Sequence, residues 1–172
     1  MAVVGLWAFV FLLDSLAFPP AFAGAILSGY WAALVVSRVL LGATAERVGT
    51  WPVLAAATVL IVTAAVLVVS QQPAPAAVGI VLLGLAVGPV YPLLVLTTNE
   101  ERTTATSADR LVGFQAAAST LGAVICPIAV GLIMSADPAT FASCLLVLAL
   151  LSAVGIWALQ PGRHRPPVMF SR

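Results

Sequence analysis

The chain has 172 residues, 62% of them hydrophobic and 8% charged, with a formal net charge of +1. A water-soluble domain carries about 25% charged residues, so a water-facing surface cannot be assembled from this composition. The solvent it implies is lipid, and with no Lys-rich or Arg-rich run it carries no nucleic-acid-binding signal.

A bilayer core about 30 Å thick needs about 20 apolar residues in a helix, whereas a barrel strand needs alternation over about ten. The apolar runs here are continuous, which predicts an all-α, polytopic helical membrane protein of about six spans. The first segment covers residues 1–18. Its uncharged run ends at Asp14 after thirteen residues, which is about 20 Å of helix and short for a span. Two readings stay open: a complete short helix with Asp14 near the far interface, or a helix whose start is missing from this chain. An intramembrane acid is a candidate proton or substrate site, so Asp14 enters the list of cavity candidates. The second segment, 21–44, follows the break Pro19-Pro20. Its Tyr30 and Trp31 suit either stacking on a solute or packing toward lipid.

The stretch LLGATAERVGTWPVL at 40–54 interrupts the apolar text and is expected to turn between two antiparallel helices. Gly42 lets the second helix end close to its neighbour, and Gly49 suits a positive φ. Glu46 and Arg47 are placed to meet helix termini or nearby charges. Arg38, two turns earlier, is expected to snorkel to the same surface.

The third segment, 51–69, carries Pro52 in its first turn, where a missing amide costs little. A polar turn at 70–75 leads to the fourth, 76–96. There Gly84 and Gly88 form a small-xxx-small face for close helix contact. Pro89 and Pro92 remove backbone hydrogen bonds and bend the helix, making either a gating hinge or a static kink. Tyr91, between them, is a further cavity candidate. A polar loop at 97–110 follows, with Asp109 placed to cap the next helix. The fifth segment, 111–134, sets Gln115 and Ser119 on one face. Gln115 is a candidate for the cavity or inner gate, or else bonds a neighbouring helix. The sixth segment is 139–159. Residues 1–160 thus read as a six-helix half-bundle and 161–172 as a cytoplasmic tail. Cys126 and Cys144 fall in apolar runs and read as small packing residues.

All seven basic residues besides His164 are arginines: 38, 47, 102, 110, 163, 165 and 172. With six spans they share one side, and the opposite loops hold none. The positive-inside rule then puts both termini in the cytoplasm of a multi-pass plasma-membrane protein.

The 42–49 stretch resembles the signature loop of the major facilitator superfamily, G-x-x-x-D-R-x-G-R-R, through Gly42, Glu46, Arg47 and Gly49. Glu46 replaces the usual Asp, and Thr50 and Trp51 replace the closing basic pair. SGYWAALVVSRVLLG, GLAVGPVYPLLVL and FQAAASTLGAVICPIAVGLI resemble the eighth, tenth and eleventh helices of fucose-permease-like members. The resemblance implies the C-terminal half of a twelve-helix carrier, built from two inverted three-helix repeats. It implies transport of a small, sugar-like solute by alternating access, with an N-terminal six-helix half or a second copy as partner.

No G-x-S-x-G, H-E-x-x-H or phosphate loop occurs, and the ionisable groups do not converge on facing helices. The chain is therefore read as neither an enzyme nor a cofactor binder. The alternative to a carrier is a non-transporting membrane remnant or helical interaction module.

Overall fold

The computed structural model describes residues 2–100 and 105–158. Arg102 and the tail at 161–172 lie outside the described residues, as do the side chains of Glu46, Asp109 and Arg110. Among the described residues seven helices follow one another: α1 (Ala2–Asp14), α2 (Pro20–Val48), α3 (Thr50–Val69), α4 (Pro73–Val87), α5 (Val90–Glu100), α6 (Ala105–Met134) and α7 (Thr140–Ala158). No strand occurs among the described residues. Five stretches are long and apolar enough to cross a bilayer, at Pro20–Leu41, Thr50–Val69, Pro73–Thr97, Val112–Met134 and Thr140–Ala158. The third of these joins α4 to α5, and α1 is a shorter apolar helix. The chain is an all-α, helical membrane protein. Its outer surface agrees: Leu132, Phe114 and Val39 are each at least 70% exposed, an arrangement that lipid tolerates and water does not.

Prolines start the helices where their missing amides are harmless. Pro20 and Pro73 occupy first positions, and Pro52 lies in the first turn of α3. The turns are short. Ala17 and Gln71 take φ of 52° and 51° on one side of the bundle, and Gly49 takes φ 98° on the other.

Three boundaries differ from the sequence expectation. The second helix does not end at residue 44 but runs through Glu46 and Arg47 to Val48, so the turn shrinks to Gly49. Ala, Glu and Arg are strong helix formers, and the helix continues past the apolar window rather than unwinding at its edge. Likewise α5 reaches Glu100 and α6 starts at Ala105, both inside the stretch 97–110 that the sequence suggests as a loop. Asp109 therefore lies inside α6 rather than capping it.

Gly49 has φ 98° and ψ 154°, a region nearly closed to residues with a Cβ. Gly49→Ala is expected to destabilise the bundle by about 1–3 kcal/mol, read as a lower unfolding midpoint in detergent.

The core sits around α3 and α4. The α4–α5 span has 44% of its apolar stretch buried, against 17% in the α2 and α6 spans. Helix α4 packs on both α2 and α3, α3 also packs on α7, and α1 packs chiefly on α6. Phe11 and Phe141 stack with ring centroids 5.0 Å apart, tying α1 to α7. A smaller cluster of Ala45, Val53, Leu54, Leu93 and Ile156 closes the Gly49 end.

Candidate functional site: a cavity beside the α4–α5 break

The site begins with two glycines. A Cβ on Gly84 would collide with the backbone carbonyl of Tyr30, and one on Gly88 would collide with Ser37 Oγ and lie 2.7 Å from the Leu34 carbonyl. Tyr30, Leu34 and Ser37 recur at i, i+4 and i+7, so one face of α2 lies directly on the backbone of α4. Ser37 is fully buried there and donates its hydroxyl to the Leu34 carbonyl at 3.0 Å.

This close crossing ends at a break in the hydrogen-bond ladder. The Leu85 and Gly88 carbonyls would accept from residues 89 and 92, but both are prolines and have no N–H. Gly88 keeps helical dihedrals (φ −51°, ψ −51°), and the ladder resumes with Leu93 N–H donating to Pro89 O at 3.0 Å. The path of the span continues while its bonding lapses. Arg38 supplies a replacement: its Nε donates to the Gly88 carbonyl at 3.3 Å. A side chain expected to snorkel away instead caps the carbonyl that Pro92 leaves without its helical donor.

Around this break lies a cavity of about 510 Å³, within the range of small-molecule sites. Tyr30 and Arg38 line it from α2, Tyr91 from α5, Ser119 and Cys126 from α6, and Ser152 from α7. The rest of the wall is apolar, including Val3 and Val4 of α1. Among the described residues Arg38 is the one charged side chain in the lining, and none of them contributes a carboxylate to it.

A second close contact holds α1 to α6. The Trp7 indole lies against Gly131, where a Cβ would meet its ring, and Trp7 Nε1 donates to the Pro127 carbonyl at 2.8 Å. Trp7→Phe removes the donor and also the Cζ2 and Cη2 atoms that lie against Gly131. It is expected to cost about 2 kcal/mol, the lost hydrogen bond plus the lost packing, seen as a fall in the unfolding midpoint.

The cavity brings together two of the five cavity candidates, Tyr30 and Tyr91. Asp14 ends α1 and is exposed, some ten residues along the helix from the lining at Val4, or about 15 Å. It lies at the opposite end of the span. Trp31 turns away from the cavity: its ring rests on Gly5 of α1, meets Tyr30 edge-on at 5.2 Å, and is 46% exposed toward lipid. Gln115 is outside the lining, whereas Ser119, one turn on, is part of it. Of the hinge candidates, Gly84 and Gly88 make the α2 contact, while Pro89 and Pro92 make the break. In the loop motif, Gly49 makes the turn; Gly42, Glu46 and Arg47 continue α2.

Arg38 is the residue that sequence reading missed. The signal was present: an arginine inside an apolar run, one residue past the Tyr30–Ser37 face, opposite a span with an unpaired carbonyl. Both cysteines are free. No group of three or more His, Cys, Asp or Glu side chains among the described residues is placed to hold a metal ion. Comparison with known proteins gives no matching family model, no matching curated protein and no matching solved structure.

Proposed function

We propose that this chain is a half of a secondary transporter of the major facilitator type, moving a small solute across the plasma membrane by alternating access. The observation that carries the reading is the cavity set against a span whose hydrogen-bond ladder is already interrupted. A helix bends at such a place without breaking further backbone bonds, because the Leu85 and Gly88 carbonyls have no intrahelical donors to lose. The site needs no catalytic group and no cofactor.

The packing pattern supports the same reading. Taking α1–α3 and α4–α7 as two three-span groups, the α2–α4 contact in one sense corresponds to the α6–α1 contact in the other, and α3 meets its counterpart α7. Two inverted repeats would pair these contacts in that way, although the extensive α3–α4 packing has only a slight counterpart between α7 and α1. The least buried spans, α2 and α6, are the faces on which a second six-helix body would close the cavity. That body is an N-terminal half, as the loop resemblance implies, or a second copy. Both termini lie in the cytoplasm on this reading, by the arginine distribution.

The test is reconstitution into sealed vesicles, with and without a six-span partner, followed by uptake from a broad panel of labelled solutes. Saturable uptake that stops when Arg38 or Tyr91 is replaced supports the proposal. No uptake across the panel in either form rejects it in favour of a membrane interaction module.

A further inference from the structure

The geometry points to a small organic anion as the solute of this cavity, its carboxylate held by Arg38 while the apolar wall takes its body. The inference rests on the transport reading in taking the cavity as the solute site. Among the described lining residues Arg38 is the single charge, with no carboxylate to neutralise it. Among the described residues only its Nε–H has a protein acceptor, the Gly88 carbonyl. The other N–H groups of the guanidinium fork remain as donors, and two parallel N–H bonds match a carboxylate in geometry and charge. Arg38 is exposed, three residues before the end of the Pro20–Leu41 span and beside the apolar part of the wall, and its charge-assisted bond to an anion is stronger than one to a neutral acceptor. A polyol is a poorer match, because the Ser119 and Ser152 hydroxyls of the wall already donate to the Ala116 and Leu148 carbonyls of their own helices. The same guanidinium caps the Gly88 carbonyl, so the anion acts directly on the break between α4 and α5.

The experiment uses the full chain purified in an uncharged detergent. Its thermal unfolding is followed against rising sodium benzoate and, separately, benzamide, at constant ionic strength. Benzamide has nearly the same shape without the charge. Benzoate is expected to half-saturate at about one-tenth of the benzamide concentration or less. In Arg38→Gln that preference is expected to vanish, and Arg38→Lys, which keeps the charge but not the fork, to retain part of it. Equal half-saturation in the unaltered protein overturns the inference, as does no stabilisation by benzoate; both of these results come from the unaltered protein and need no variant to fold. A full preference persisting in folded Arg38→Gln also overturns it. The outcomes separate from those of the transport proposal: benzoate preference without vesicle uptake keeps the anion site and rejects transport, while uptake with equal binding does the reverse.

Discussion

Gly84→Val is expected to destabilise the bundle by about 3 kcal/mol, lowering the unfolding midpoint in detergent by about 10 °C. The reason is the nature of the obstacle. The first added carbon meets the backbone carbonyl of Tyr30, with Tyr30 C and Cα also close at 3.0 and 3.1 Å. A flexible side chain could swing aside, whereas a helix backbone can only be pushed away as a whole. Moving α2 off α4 then opens the contact that buries Tyr30, Leu34 and Ser37, and it pulls Arg38 from Gly88. Gly155→Val in α7 is the control. Nothing lies within 4 Å of its added Cβ, and the expected change is within about 0.5 kcal/mol. Equal effects at the two positions would show that the α2–α4 crossing is not a tight backbone contact.

The second large effect concerns motion. The double substitution Pro89→Ala and Pro92→Ala restores N–H donors for the Leu85 and Gly88 carbonyls. It rebuilds a continuous helix through the break and releases Arg38 from its cap. Stability is expected to hold or rise, since two prolines leave a helix interior. Vesicle uptake is expected to fall about tenfold or more, because the rebuilt span must now break backbone bonds to bend. Uptake within about twofold of the unaltered protein, with stability preserved, would identify the break as a fixed kink.

Much of this fold is written plainly in the sequence. Continuous apolar runs separated by proline and polar turns mark the spans, because lipid requires each backbone to satisfy itself locally. Gly49 and the Gly84–Gly88 pair were legible for a similar reason: a positive φ and a backbone-to-backbone contact both exclude a side chain. The end of α2 was not legible. Charge at Glu46 and Arg47 suggests leaving the membrane, and leaving the membrane is not the same as ending a helix. The cavity was only half legible, because it depends on which face each span turns inward. Neighbouring Tyr30 and Trp31 point to different places, one buried at the cavity and one over Gly5. The destination of Arg38 depends on a carbonyl fifty residues away, a relation that no local pattern encodes.

Transport through this cavity requires a bundle whose successive turns alternate between membrane faces. Labelling with a membrane-impermeant thiol reagent in sealed cells tests this directly, in a background with Cys126 and Cys144 replaced by alanine. Thr50→Cys, beside the Gly49 turn, is expected to react only after the membrane is opened. Gln71→Cys, at the next turn, is expected to react in intact cells. Reaction of both positions from the same side would contradict the bundle, and with it the cavity and the transport built upon it.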